Sequence, residues 1–135
     1  MPDLVLLKLG GSVITDKSSP ETAREDVVRR LGQEIRQALA ETDGLQLVLG
    51  HGSGSFGHSV AHRYHTHSGV VDDHSWYGLA ETSRAAARLN RLVTDWLFEA
   101  GLPVISFQPS ASALCCGRRL LHLELEPLQR ALAGG

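Results

Sequence analysis

The residues best suited to chemistry lie in a glycine-rich stretch, residues 45–58, which reads LQLVLGHGSGSFGH. It begins as a short apolar run typical of a buried strand, and Gly52, Gly54, Gly57 and finally His58 follow among small hydroxyl residues. Glycine allows positive φ and places no Cβ between its N–H group and an anion. A strand that leads through such a loop into a helix presents free amides to a phosphate. We therefore predict a phosphate-binding loop, with His58 in contact with the bound group.

Two lysines near the N-terminus form a second group of candidates. Of the 13 basic residues, all are arginines except Lys8 and Lys17, which lie on either side of Gly10 and Gly11. A compact ammonium group can follow a moving phosphoryl group as a point charge, which a planar guanidinium does less well. The counts alone favour this interpretation and ordinary solvated surface charge equally.

Residues 52–57 also fit G-x-G-x-x-G, the fingerprint of dinucleotide-binding folds, but the context differs. That fingerprint requires a second strand that ends in an acidic residue about 20 positions on. Asp72 and Asp73 fall near that distance, but they precede a helical stretch and no strand leads into them. A protein-kinase glycine loop would have Val where this chain has Ser59, and the P-loop pattern is absent from the sequence. Neither alternative matches the whole pattern.

The composition is that of one ordinary globular domain of 135 residues, with 42% hydrophobic and 21% charged residues. A net charge of −2 gives no electrostatic reason to expect a nucleic-acid or anionic-membrane partner, and no apolar run approaches the length of a membrane span. Cys115 and Cys116 are adjacent, which disfavours a mutual disulfide. These features predict a cytoplasmic protein.

His62, His65 and His67 lie close together in the sequence, but a solvated loop explains them better than a metal site does. No metal ligands are therefore predicted.

The order of predicted elements indicates an α/β fold, a parallel sheet with helices on both faces, in one domain over residues 1–135. The predicted strands are residues 3–9 (buried on both faces), 45–49, 103–107 and 120–125. The predicted helices start at Ser19–Pro20 and run to Asp43–Gly44, start after Gly57, cover 76–100 and run from Pro127 to Gly134–Gly135, with a loop over 65–75. Leu79, Ser83, Ala86, Asn90, Val93 and Leu97 line one face of the longest helix.

Four motifs in this order resemble the amino acid kinase superfamily, and within it the isopentenyl phosphate kinase family. They are K-L-G-G-S at 8–12, T-D-K at 15–17, H-G-S-G-S-F-G-H at 51–58 and S-F-Q-P-S at 106–110. The resemblance covers essentially the whole chain. It implies a kinase that uses ATP with Mg²⁺ to phosphorylate isopentenyl phosphate to isopentenyl diphosphate, in isoprenoid precursor synthesis. It also implies a homodimer for the intact protein.

The same resemblance implies roles for individual residues. Lys8, Lys17 and His58 would be catalytic, with the lysines on the transferring phosphate and His58 on the acceptor phosphate. The ATP phosphates would meet Lys8, Leu9, Gly10, Gly11, Ser12 and Gly54, and the acceptor would meet Gly52, Ser53, Gly57 and His58. Ser53 departs from the family pattern, because a glycine is common there. If that position required positive φ, serine would strain it.

The resemblance also predicts a missing part, because the nucleotide-binding half of such kinases should follow the last helix. On this view residues 1–135 are the acceptor-binding, N-terminal part of an amino acid kinase-like fold. Two other interpretations stay open. One is a related kinase with another acceptor, similar to fosfomycin kinase or glutamate 5-kinase, and the other is a non-catalytic phosphate-binding fragment.

Overall fold

The computed structural model describes residues 3–134, so the predicted end of the last helix at Gly135 lies outside the described residues. The elements are, in order, β1 (Leu4–Leu9), α1 (Gly11–Ile14), β2 (Thr15–Asp16), β3 (Thr22–Ala23), α2 (Glu25–Glu41), β4 (Gln46–His51), α3 (Gly54–Arg63), α4 (Asp73–Glu99), β5 (Leu114–Cys116), β6 (Arg119–His122) and α5 (Glu126–Ala133). Short 3₁₀ helices at Thr66–Ser68 and Pro109–Ala111 complete the described chain.

The central feature is a parallel pair of strands, β1 and β4, in a register that runs from Leu4 opposite Gln46 to Leu9 opposite His51. Parallel strands need a crossover, and α2 supplies it. The α/β fold class with a parallel sheet and helices is therefore confirmed. Because both strands end at the same edge, the glycine-rich segments that follow them start side by side.

The core lies between the carboxyl end of β1 and helices α2, α3 and α4. Its fully or nearly buried apolar residues are Leu9, Ile14, Val28, Phe56, Ala85, Leu89, Val93, Leu97 and Leu102. The prediction that strand 3–9 is buried on both faces is wrong for the described residues, since Leu4 is 52% and Leu6 74% exposed. Only the end of β1, at Leu9, reaches this core, which leaves the earlier side chains uncovered by residues 3–134.

Helix α2 begins at Glu25, not at Ser19–Pro20 as predicted. The reason is that Thr22–Ala23 pairs with Thr15–Asp16 in an antiparallel ribbon, so these residues are extended and not helical. Glu25 and Asp26 then occupy the first turn, where acidic side chains favour the helix dipole. The predicted end is nearly correct, because α2 stops at Glu41, shortly before Gly44, which has φ of +73°.

Helix α4 begins at Asp73, three residues before the predicted start, because Asp72 and Ser75 form a capping box. The predicted face is correct at Val93 and Leu97 but wrong at its start, where Leu79 and Ser83 are exposed. The buried positions there are Ser75, Gly78 and Ala85. Gly78 explains the rotation, since a Cβ at this position would collide with the side chain of Tyr64, the residue that follows α3.

The C-terminal quarter is less regular than predicted. Residues 103–107 do not pair with any strand of the described chain, so the third predicted strand is wrong there. The predicted strand at 120–125 is half correct, since β6 pairs with β5 in a hairpin whose turn residues, Gly117 and Arg118, have φ of +53° and +64°. Helix α5 is confirmed, and Gln46 Nε2 donates to Leu132 O at 2.6 Å, which ties α5 to β4.

No helix in residues 3–134 has the length and apolarity to cross a bilayer.

Candidate functional site

The two glycine-rich segments meet at the carboxyl edge of the parallel sheet. The amide of Gly52 donates to the carbonyl of Leu9 at 2.9 Å, which continues the β1–β4 pairing one step beyond the strands. Residues 10–12 then turn into α1 and residues 52–54 turn into α3. The predicted helix after Gly57 therefore starts earlier, at Gly54, and both Gly57 and His58 lie within it. The candidate site is the place where these two turns touch.

The contact between the turns is made by backbone atoms. A Cβ built on Gly11 would lie 2.5 Å from the Gly54 nitrogen, and one on Gly52 would lie 2.7 Å from the Gly11 nitrogen. Real Cβ atoms essentially never approach other atoms within 3.0 Å. Glycine at these positions thus serves the packing of one loop on the other, in addition to the access of an anion that the sequence predicts.

Thr15 fastens the two turns together. Its side chain is fully buried, and its Oγ1 donates to Gly11 O at 2.6 Å and accepts from the Ser55 amide at 3.0 Å. A Cβ on Gly54, which has φ of +48°, would collide with this hydroxyl. Sequence reasoning did not assign this role to Thr15, because a threonine in a T-D-K motif gives no signal that its hydroxyl bridges residues 40 positions apart.

Several loop amides are left for a ligand. Among residues 3–134, no acceptor is found for the backbone N–H groups of Gly11, Ser12, Ser53 and Gly54. Neighbouring free amides of this kind form concave sites for anions. Ser53 has φ of −83°, an ordinary right-handed conformation, so serine at this position carries no backbone strain.

Lys8 lies on β1 opposite Gly50 and is exposed, on the face of the strand opposite to the buried Leu9. Leu9 itself places its side chain in the core and its carbonyl on Gly52, so only its backbone borders the site. Every ion pair within residues 3–134 uses an arginine, and Lys8 has no carboxylate partner there. Its ammonium group is therefore free to meet a ligand.

Lys17 is also exposed and follows β2 directly. The preceding Asp16 accepts from the Ser18 amide at 2.8 Å and from the Ser18 hydroxyl at 2.7 Å. These two hydrogen bonds, with a smaller contribution from the charge of Arg24, hold the pKa of Asp16 below its ordinary value. Asp16 thus stays ionised and closes the turn that carries Lys17. His58 is exposed and lies within helix α3.

A hydrogen-bonded chain next to the second loop was missed by sequence reasoning. His51 Nδ1 lies 3.0 Å from Gly52 O, His51 Nε2 lies 3.0 Å from Asn90 Nδ2, and Ser106 Oγ donates to Asn90 Oδ1 at 2.6 Å. Asn90 was predicted on a helix face and Ser106 within a motif, but neither received a role. The signal for Asn90 was its position as a polar residue among apolar residues on one helix face. No local feature of the sequence indicated that it would bond to His51 and Ser106.

The described residues contain no group of three or more His, Cys, Asp or Glu side chains arranged to hold a metal ion. Magnesium commonly uses one or two carboxylates together with substrate phosphates and water, so such a group is not required for it. The free amides, by contrast, suit phosphate oxygens.

Residues 3–135 match the Amino acid kinase family. The isopentenyl phosphate kinase of Methanothermobacter thermautotrophicus is 35% identical over 137 residues, covering 98% of this chain and 50% of that protein. The enzyme of the same name from Methanocaldococcus jannaschii is 35% identical over 117 residues, covering 80% of this chain and 44% of that protein. This chain spans about half the length of the curated relatives it matches.

Solved structures of isopentenyl phosphate kinases also superpose on this chain. A structure described as "X-ray structures of isopentenyl phosphate kinase" superposes with a TM-score of 0.87 at 35% identity, covering 98% of this chain and 55% of that one. The crystal structure of an isopentenyl phosphate kinase substrate complex superposes with a TM-score of 0.76 at 32% identity, covering 100% and 52%. With its family match over residues 3–135 and the two glycine turns at the edge of its parallel sheet, this chain belongs to the amino acid kinase family.

Proposed function

We propose that this chain is the acceptor-binding part of an ATP-dependent phosphotransferase that converts isopentenyl phosphate to isopentenyl diphosphate. The observation that carries the proposal is the backbone contact between Gly11 and Gly54, which places two sets of free amides side by side. A kinase must hold two phosphate groups within reacting distance, and adjoining amide-rich turns are suited to that task. The names of the relatives supply the acceptor.

In the proposed reaction, an oxygen of the acceptor monophosphate attacks the γ-phosphorus of ATP. The bond between that phosphorus and the β–γ bridging oxygen breaks, and ADP leaves with the electron pair. The acceptor is already an anion near neutral pH, so no strong general base is needed. The difficulty lies in bringing two polyanions together and stabilising charge on the transferring group, which makes the work of the protein mainly positioning and electrostatics.

The residues take the following parts in this proposal. Lys8 and Lys17, which have no carboxylate partner in residues 3–134, balance the charge of the transferring phosphoryl group. The first turn, with the Leu9 backbone, Gly10, Gly11 and Ser12, lines the donor phosphates together with Gly54. The second turn holds the acceptor through Gly52 and Ser53, together with His58 of α3. Gly57 acts indirectly, since a Cβ there would lie 2.7 Å from the Ser53 hydroxyl and displace it.

ATP is the proposed donor, in keeping with family membership, and Mg²⁺ is proposed to arrive bound to its phosphates. When bound, the ion would neutralise charge on the donor phosphates. The residues of this chain would contact those phosphates through the amides of Gly11, Ser12 and Gly54, and they provide no three-ligand metal cluster of their own within the described part.

We further propose that the half of the relatives not spanned by this chain carries the remaining nucleotide contacts, including the adenine pocket. The complete protein is proposed to be a cytoplasmic homodimer. The coverage of the relatives, about half of each, supports the first of these proposals. The homodimer and the cytoplasmic location rest on the family resemblance.

The test is a panel of acceptors with the full-length protein that contains this chain. Isopentenyl phosphate, dimethylallyl phosphate, fosfomycin and glutamate are each supplied with ATP and Mg²⁺, and kcat/KM is measured for each. The proposal expects the highest value for isopentenyl phosphate. A higher value for fosfomycin or glutamate identifies a related kinase instead, and phosphate binding without transfer to any acceptor identifies a non-catalytic module.

A further inference from the structure

The chain of hydrogen bonds from Ser106 through Asn90 to His51 ends on the peptide group that links Gly52 to Ser53. A carbonyl oxygen only accepts hydrogen bonds, so the contact of 3.0 Å between His51 Nδ1 and Gly52 O requires a proton on Nδ1. Neutral imidazole then leaves Nε2 as an acceptor. Asn90 Nδ2 donates to that nitrogen at 3.0 Å, so the two contacts of His51 specify the same tautomer.

Asn90 is held in the matching orientation from its other side. Its Oδ1 accepts from the Ser106 hydroxyl at 2.6 Å, and its amide nitrogen faces His51. Asn90 lies on α4, and Ser106 lies in the segment between α4 and the β5–β6 hairpin. Two parts of the chain remote from the loop therefore fix the imidazole that touches it.

The consequence for the loop follows from peptide geometry. The structure has no cis peptide bond among its described residues, and in a planar trans peptide the C=O and N–H groups point in opposite directions. Fixing the direction of Gly52 O fixes the direction of the Ser53 N–H. That amide has no acceptor among residues 3–134 and belongs to the proposed acceptor site.

We infer that His51 is a positioning residue that orients the Ser53 amide toward the acceptor phosphate. The inference deepens the proposed function and rests on it for the identity of the ligand. His51 does not need to touch the acceptor, because it acts through the Gly52–Ser53 peptide group.

Two substitutions separate the two contacts of His51. The Asn side chain of His51→Asn carries an N–H group near the place of Nδ1 and keeps the bond to Gly52 O, whereas the amide of His51→Gln reaches toward Asn90 and loses that bond. We expect His51→Gln to raise the KM for isopentenyl phosphate roughly 3- to 10-fold, the effect of one hydrogen bond, with a smaller change in kcat. His51→Asn should recover most of the loss. Equal effects of the two substitutions overturn the inference.

Thr82→Ala is the matched control. Thr82 lies on α4, as Asn90 does, but its hydroxyl donates within the helix, to Gly78 O at 2.8 Å. This variant should leave the KM for isopentenyl phosphate unchanged. A rise equal to that of His51→Gln contradicts a specific role for the chain of hydrogen bonds.

Nitrogen NMR of the unmodified full-length protein provides a test that needs neither a variant nor turnover. The His51 ring should show the Nδ1–H tautomer, and addition of inorganic phosphate should shift the Ser53 amide resonance. An Nε2–H tautomer, or a Ser53 resonance that phosphate leaves unmoved, overturns the inference. If both signals appear as expected while isopentenyl phosphate is not phosphorylated, the positioning role stands and the proposed function fails.

Discussion

The hydroxyl of Thr15 accepts a hydrogen bond from the amide of Ser55 at 3.0 Å and donates one to Gly11 O at 2.6 Å. These two bonds join the turn after β1 to the turn after β4 across 40 residues of sequence. A buried hydroxyl with both its donor and its acceptor functions in use fixes the relative position of two backbone segments. The adjacency of the two turns therefore depends on one side chain as well as on their glycines.

Thr15→Val tests this dependence, since valine has nearly the same shape and lacks the hydroxyl. The Ser55 N–H would lose its acceptor in a partly buried place, which costs about 1–3 kcal/mol in the free energy of unfolding. Urea unfolding of the two proteins measures the loss. Thr15→Ser, which keeps the hydroxyl, should be clearly more stable than Thr15→Val. If valine proves as stable as threonine, the bridge contributes nothing.

Gly54→Ala tests the close packing of the turns, and Gly117→Ala is its control. The two glycines have similar φ values, +48° and +53°, so alanine meets a similar backbone strain at both. Nothing lies within 4 Å of a Cβ at Gly117, whereas a Cβ at Gly54 collides with Thr15. We expect Gly54→Ala to lose about 1–3 kcal/mol more than Gly117→Ala, the usual cost of overpacking. Equal losses by thermal or urea unfolding would show that φ alone explains the glycine.

Local signals predicted the part of the fold that positions the site. The apolar runs that form β1 and β4, and the glycines after each strand, can be recognised without knowledge of contacts. They predicted the fold class and indicated the place of the candidate site. The start of α2 at Glu25 was missed because Thr22–Ala23 pairs with Thr15–Asp16, a choice that helix signals at Ser19–Pro20 do not reveal.

The side chains that support the site could not be predicted, for a different reason. Thr15 bonds to a residue 40 positions away, and His51 is held by Asn90, 39 positions away, so their roles exist only once the chain is folded. The catalytic and binding roles of Lys8, Lys17 and His58 came from a resemblance, and they stay predictions.

The capping box at the start of α4 predicts a dependence of stability on pH. Hydrogen bonds from the Ser75 side chain and amide lower the pKa of Asp72, with a smaller contribution from His74. A lowered folded-state pKa means that the unfolded chain binds the proton more readily. The contribution of the ionised Asp72 to the free energy of unfolding is thus fully present above the ordinary Asp pKa of about 3.9. It is lost as pH falls through the pKa of the folded state.

Asp72→Asn isolates the charge, because asparagine can also cap a helix N-terminus. The melting temperature of the wild-type protein should exceed that of Asp72→Asn at pH 6, and the difference should vanish in strong acid. If the difference in melting temperature is the same at pH 6 and in strong acid, the ionised carboxylate of Asp72 is not the cause of the stabilisation.

The lysines are expected to act in the transition state of the complete enzyme. Lys8→Ala or Lys17→Ala should lower kcat by roughly 10²–10³-fold, the scale for removal of one preorganised charge-stabilising group. Lys17→Arg should also be poor, because a planar fork does not replace a compact ammonium. Arg118→Ala, an exposed cation in the β5–β6 turn, is the control and should have normal kcat. Near-normal kcat with a higher KM for ATP would make either lysine a ground-state binding group.

His58 tests the acceptor side of the site. His58→Ala should raise the KM for the acceptor and slow transfer, while the KM for ATP changes little. His58→Asn or His58→Gln should recover part of the loss if the ring donates a hydrogen bond to the acceptor phosphate. A general-base role predicts instead that Asn and Gln are as inactive as Ala. If His58→Ala leaves both kinetic constants unchanged, the residue has no part in acceptor binding.

The most direct measurement is phosphorus NMR of isopentenyl phosphate incubated with ATP, Mg²⁺ and the full-length protein, with Lys17→Ala beside it. We expect the monophosphate signal to be replaced by the two coupled signals of isopentenyl diphosphate, in step with the appearance of ADP. Lys17→Ala should slow this conversion roughly 10²–10³-fold. A monophosphate signal that persists while ATP is stable, in protein shown to be folded, would contradict the proposal that the two joined glycine turns form a phosphoryl-transfer site for this acceptor.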